Sequence, residues 1–247
     1  GLLTAAYGTG WFRGRGGAPG RFQALVLLAV TGGATVLLAD NLLLLLVGWE
    51  LVTLALFLLV IGGRPEGAEG AAKAYTLLGV GDLALLVGIV LVGVANLDRG
   101  YAEPWSLATL RAHPIGSGGG AEVLAWLLLF VAAAAKAGAM PLHTWIPSMS
   151  TGTNAAVMAF LPGSLDKVLG IYLAARLSLH WGVPTDGLRW VMMALGAVTI
   201  LGAVFMAMVQ HDLRRLLSYH AVSQVGYMLL GLGTGTVVGA VGGIYHM

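Results

Sequence analysis

Five ionisable side chains stand where the surrounding sequence is almost wholly apolar. Glu50 lies in Val47-Gly48-Trp49-Glu50-Leu51-Val52, Asp82 follows Gly79-Val80-Gly81, and Lys136 sits in Ala134-Ala135-Lys136-Ala137. Asp166 and Lys167 form an adjacent acid–base pair. The chain has only three lysines against ten arginines, and Lys73, Lys136 and Lys167 all lie in or at the edge of an apolar segment, whereas most arginines mark loops. A charge at the centre of a bilayer costs about 2.5–3.5 kcal/mol. Four of them would therefore total on the order of 10 kcal/mol, comparable to the whole stability of a domain. Such groups can pair as structural glue, or they can pass protons. Lysine suits glue poorly, because arginine pairs carboxylates in two-point geometry and never releases its proton, whereas a buried lysine can. The types and placement favour a proton relay.

The composition says what must position these residues. Of 247 residues 58% are hydrophobic and 10% charged, with a mean hydropathy of +0.87; about a quarter of a soluble domain is charged. Several apolar runs of about twenty residues are each long enough to cross a bilayer as a helix. The expected fold is all-α, a polytopic transmembrane helix bundle. The absence of Cys excludes disulfides, thiolate zinc, iron–sulfur clusters and thiol catalysis, and a formal charge of +2 is too small and scattered for a nucleic-acid partner. The sequence opens at Gly1 with no Met and no basic leader, and stops at Met247 inside an apolar run that begins near Val237. It reads as an internal piece of a longer protein.

Helices are expected at about 22–39, 42–61, 73–95, 122–139, 155–178, 188–209 and 213–231, with a truncated eighth from Val237. Residues 1–21 read as the end of a preceding helix and a cytoplasmic loop. Asp40-Asn41 makes a tight turn, residues 62–67 a loop rich in breakers, and 96–121 the longest polar stretch, with Pro104, Pro114 and Gly118-Gly119-Gly120. Met140-Pro141-Leu142-His143-Thr144-Trp145-Ile146-Pro147 places two prolines at membrane depth. The fourth helix should therefore be interrupted between Met140 and Thr153, the alternative being an ordinary loop between the fourth and fifth helices. At about 1.5 Å per residue across a core of about 30 Å, Glu50, Asp82, Lys136 and Lys167 share the middle layer. Arg13, Arg15, Arg21, Arg64, Lys73, Arg214 and Arg215 fall on one side, against Arg99, Arg111, Arg176 and Arg189 on the other, which makes the first side cytoplasmic. Gly79-Val80-Gly81-Asp82-Leu83-Ala84 matches a loose dinucleotide pattern but lies inside a membrane-length helix, and His211 and His220 lack carboxylates at ligand spacing. Neither is taken as a site.

Ala39-Asp40-Asn41-Leu42, Val47-Gly48-Trp49-Glu50, the segment from Pro141 to Pro147, Gln210-His211-Asp212-Leu213-Arg214-Arg215-Leu216-Leu217-Ser218-Tyr219 and Ser223-Gln224-Val225-Gly226-Tyr227 together resemble the antiporter-like subunits of respiratory complex I. The same superfamily includes subunits of multisubunit cation/proton antiporters and membrane-bound hydrogenases. The resemblance implies five-helix units repeated with inverted topology, here 22–178 and the start of a second at 179–247. A faint echo is visible in the turns at Asp40 and Asp212.

The resemblance also implies a proton relay of Glu50, Lys136, Lys167 and His246. Asp82, Asp166, Lys73 and His220 are supporting charges, and Pro141, His143 and Pro147 mark the broken helix. The family's P-T-P-V-S stretch is replaced here by Gly152-Thr153-Asn154-Ala155-Ala156, and Pro162 stands at its histidine position, so Lys167 takes over that role. Ser164-Leu165-Asp166-Lys167 points to a hydrogenase-type or divergent relative. Glu50 and Lys136 are expected to form the coupling pair, worth about 4 kcal/mol at about 4 Å and an effective dielectric near 20.

The implied function is a proton-translocating membrane subunit of a complex I-like or hydrogenase-like pump. It would hold no redox cofactor or metal and be non-catalytic itself, working with other membrane subunits in a prokaryotic cytoplasmic membrane. The alternatives are a sodium/proton antiporter subunit and a structural anchor for a peripheral enzyme.

Overall fold

The computed structural model describes residues 1–12, 18–62, 67–116, 119–150 and 152–247. Arg13, Arg15, Arg64 and Gly118, which entered the charge count and the loop assignments, lie outside them. The described residues form helices α1 (Leu2–Phe12), α2 (Pro19–Leu38), α3 (Leu42–Ile61), α4 (Gly67–Asp98), α5 (Leu107–Ala112), α6 (Gly120–Ala137), α7 (Trp145–Met149), α8 (Ala155–Phe160), α9 (Asp166–Leu179), α10 (Asp186–Met208), α11 (Leu213–Gly233) and α12 (Val237–Tyr245). Small polar residues start many of them. Asn41, Ser106, Asn154, Thr185, Asp212 and Thr236 each accept a hydrogen bond from a backbone N–H in the first turn of α3, α5, α8, α10, α11 and α12.

Among the described residues six segments are long and apolar enough to cross a membrane: Pro19–Leu38, Leu42–Ile61, Gly67–Asp98, Gly120–Met149, Ala155–Leu179 and Asp186–Met208. The seventh expected crossing, α11, is outside this set. Helix α11 has the length, with 21 residues, but Arg214, Arg215, His220 and Gln224 make it more polar than the other six. Exposed Leu83, Val90, Val94, Val198, Leu201 and Phe205 cover the outer faces of α4 and α10, a surface suited to lipid or neighbouring subunits rather than water.

Loops gather at two ends, as alternating helices require. Asn41 bridges Ser106 and Ile115 bridges Gly182, while at the opposite end Gly67 packs on the Gly152 carbonyl. The longest polar stretch, given no helix from the sequence, folds into a cap containing α5. Its Leu107 N–H donates to Asp40 O at 2.8 Å and its Trp105 O accepts from Leu42 N–H at 2.9 Å. With six residues, α5 is too short to announce itself by periodicity.

The fourth crossing is broken, two residues earlier than expected. Gly138 ends α6 with φ +83°, a left-handed conformation that glycine adopts freely, and a Cβ there would also lie 2.2 Å from Ile146 Cδ1. A short 3₁₀ turn, Leu142–Thr144, then leads into α7. Pro147, expected as part of the break, is the third residue of α7, where its missing N–H deprives the helix of nothing. Irregular backbone at membrane depth must find partners within the protein. Here the Met140 N–H donates to Thr199 Oγ1 of α10 at 3.1 Å, and Trp145 Nε1 donates to Ala135 O at 3.2 Å. The fifth crossing, expected to run unbroken, is also interrupted, by a π turn at Leu161–Leu165. Pro162 lies in that turn and has no N–H to continue the α pattern.

Candidate functional site

Helices α3, α4, α6 and α9 converge on Lys136, which is 1% exposed. Close approach makes this possible. A Cβ on Gly170 of α9 would lie 2.5 Å from both Ala133 O and Ala137 N of α6, so only glycine lets the two helices come this near. Lys136 is the penultimate residue of α6, so the break at Gly138 leaves its ammonium beside the negative end of the helix dipole.

The ammonium has three N–H donors. One goes to Thr53 Oγ1 at 2.5 Å and another to the Trp49 carbonyl at 3.2 Å. The Trp49 ring lies against Nζ, 5.0 Å from the centroid, a cation–π contact in a dry setting. Thr53 and Trp49 then converge on a second acid. Thr53 Oγ1 donates to Asp82 Oδ2 at 3.0 Å, and Trp49 Nε1 donates to Asp82 Oδ1 at 2.7 Å. Asp82, Thr53 and Lys136 thus form one buried hydrogen-bonded chain. Asp166, fully buried, places Oδ1 3.7 Å from Lys136 Nζ.

The expected Glu50–Lys136 ion pair is not formed; the ion pair of Lys136 is with Asp166. Helix geometry supplies the reason. Trp49 and Thr53 are four residues apart and share the inward face of α3, while Glu50 is turned about 100° away. Glu50 is exposed and lines a groove of about 390 Å³ with Leu46, Tyr75, Gly79, Asp82, Leu83 and Leu86. Glu50 and Asp82 therefore share one groove, and Asp82 connects it to the lysine.

The remaining expected residues lie apart from this chain. Lys167 is half-buried and makes no hydrogen bond or ion pair among the described residues, and Lys73 is exposed on α4. His143 is 5% exposed in the 3₁₀ turn, with neither ring nitrogen hydrogen-bonded among the described residues and its ring 6.2 Å from that of Tyr219 on α11. Pro141 is exposed and Pro147 buried on either side of it. His220 is exposed. His246 follows α12, hydrogen-bonded to Gln224 of α11, with Tyr227 edge-on at 5.4 Å. No group of three His, Asp or Glu side chains that could hold a metal lies together among the described residues. Sequence reading missed Trp49 and Thr53. The signal was the four-residue spacing of two hydrogen-bonding side chains on either side of Glu50.

Residues 39–247 match the family described as NADH:quinone oxidoreductase/Mrp antiporter, TM. The chain belongs to that family. Subunit L of the F(420)H(2) dehydrogenase of Methanosarcina mazei is 33% identical over 92% of this chain and 36% of its own length. Subunit L of the NADH-quinone oxidoreductase of Escherichia coli is 33% identical over 94% of this chain and 37% of its own. The chain thus spans little more than a third of these relatives. Among solved structures, the Mrp complex from Dietzia sp. DQ12-45-1b superposes with a TM-score of 0.82 and 28% identity over 92% of this chain and 24% of that one. The resemblance read from the motifs is established, and with it an integral membrane, antiporter-like fold related to subunits of multisubunit complexes.

Proposed function

We propose that this chain carries a proton path of a redox-driven, complex I-like or hydrogenase-like membrane pump. One observation carries the reading: the buried chain Asp82–Thr53–Lys136, which ends at a groove shared with Glu50. A titratable lysine with both hydrogen-bonding and solvent-side neighbours is what stepwise proton transfer requires. Glue alone would be better served by arginine. The accessible end of the path is Glu50, where a neighbouring subunit can act, since Lys136 cannot be reached directly. Moving or neutralising Glu50 changes the field at Asp82, and through Thr53 the hold of Lys136 on its proton.

Redox chemistry belongs to the partners. On this reading 22–178 is the first five-helix unit and 179–247 the start of the second. Glycine pairs support the division, because α2 and α3 cross at Gly32 and Gly48 while α10 and α11 cross at Gly196 and Gly226. The end carrying Arg21, Lys73, Arg214 and Arg215 faces the cytoplasm. Lys167 and His246 would extend the path beyond Lys136.

The test is proton movement by the full-length subunit in its own complex, reconstituted in vesicles. Glu50→Gln and Lys136→Arg should assemble yet lose coupled proton movement, the arginine because it keeps the charge but not the ability to release the proton. An assembled Lys136→Arg complex that pumps at the parental rate would overturn the reading. Sodium uptake in place of proton movement would favour an antiporter.

A further inference from the structure

Asp166 is fully buried, and neither carboxylate oxygen has a hydrogen-bond partner among the described residues. Buried polar groups are nearly always satisfied, so such an orphan points to a second arrangement in which it is not one. The partner it lacks is close. Lys136 has three N–H donors, two of which are spent on Thr53 and Trp49. The third has Asp166 Oδ1 at 3.7 Å, in ion-pair contact but short of a hydrogen bond. A shift of about 1 Å would close that distance to the usual 2.7–2.9 Å of a charge-assisted bond. Directly before Asp166 lies the π turn Leu161–Leu165 with Pro162, an interruption of a kind that occurs at functional positions.

We propose that Asp166 is the second acceptor of Lys136: the ammonium alternates between a state bound to α3, seen here, and a state bound to α9, and its proton leaves through Asp166. This rests on the reading of Lys136 as a proton carrier. In the transfer an Nζ–H bond breaks and an O–H bond forms on Asp166. The ion pair becomes a neutral amine and a neutral carboxyl group, with no change in net charge and no other reactant. That exchange suits a dry site, which penalises separated charges. Asp82 stays fixed by Trp49 and Thr53, so the two acids divide the work, one holding the lysine and the other emptying it.

The experiment uses the full-length subunit in its complex, energised by the complex's own redox reaction. Coupled proton movement is followed in vesicles, and infrared difference spectra are recorded between resting and turning-over states. The parental complex should show the C=O band of a protonated buried carboxyl group. Asp166→Asn should remove both that band and proton movement, and Asp166→Glu should shift the band and keep proton movement. Pumping at the parental rate in Asp166→Asn, or an unshifted band in Asp166→Glu, would overturn the proposal. The Glu variant decides the matter if the Asn variant does not assemble. Failure of the underlying reading looks different: an assembled Lys136→Arg complex would then pump at the parental rate, whatever Asp166 does.

Discussion

Two buried bases flank the break in the fourth crossing, and they are held in opposite ways. Lys136, in the last turn of α6, spends two N–H donors on α3, lies against the Trp49 ring and has Asp166 beside it. His143, beyond the break, is buried with neither ring nitrogen hydrogen-bonded among the described residues, and its ring lies 6.2 Å from that of Tyr219. The same backbone interruption serves both. What differs is the neighbouring helix: α3 brings Trp49 and Thr53 on one inward face, whereas α11 brings the tilted ring of Tyr219. The lysine side of the break is preorganised by hydrogen bonds from α3, and the histidine side has none to its ring nitrogens among the described residues.

The largest effect that follows is on stability. Lys136→Met removes the cation from two buried acids and should cost about 3–5 kcal/mol, because an uncompensated buried charge is far worse than an apolar replacement of the pair. Thermal unfolding of the detergent-solubilised subunit measures this. Adding Asp166→Leu should recover much of the loss, and a double variant no more stable than the single one would show that Asp166 is not the charge left stranded.

Next is Trp49→Phe, which keeps a ring over Lys136 but removes the indole N–H from Asp82 Oδ1. Leaving a buried charged acceptor short of one donor should cost about 1–3 kcal/mol. The same melting experiment reads it, and a loss below that range would mean Asp82 is held by Thr53 alone.

Much of this site is visible in the sequence because charge is so scarce in it. Glu50, Asp82, Lys136 and Asp166 stand out from apolar runs, and the prolines at 141 and 147 mark the interruption. Pairing is less visible. Whether Lys136 meets Glu50 or Asp166 depends on the azimuth of each residue about its helix, and a starting error of one residue turns a face by about 100°. Depth along the membrane puts both acids in range, and only the packed helices choose between them. The break itself was placed by its prolines, yet the residue that ends α6 is Gly138, one of 38 glycines and unmarked until its backbone angle is known. The π turn is hidden for a similar reason, since Pro162 signals a lost hydrogen bond but not how the chain absorbs it.

Gly138→Ala should have a moderate effect. The left-handed conformation costs a residue with a Cβ about 1–2 kcal/mol, and Ile146 Cδ1 would have to move out of the new methyl's place. Pairing it with Ile146→Val should return part of the melting temperature. No recovery would mean the strain lies in the backbone alone.

The smallest effect is expected at His143, and it is the sharpest test of the contrast. His143→Leu removes a ring whose nitrogens make no hydrogen bond among the described residues and puts an apolar side chain in its place. Removing an unsatisfied polar group from a buried position is close to neutral or stabilising, so the subunit should melt within about 0.5 kcal/mol of the parent. Proton movement gives a second readout. A fall in flux without any loss of stability would mean that the imidazole takes part in the proton path. A fall in stability approaching that of Lys136→Met would mean that His143 is anchored as firmly as the lysine, and the difference between the two sides of the break would be gone.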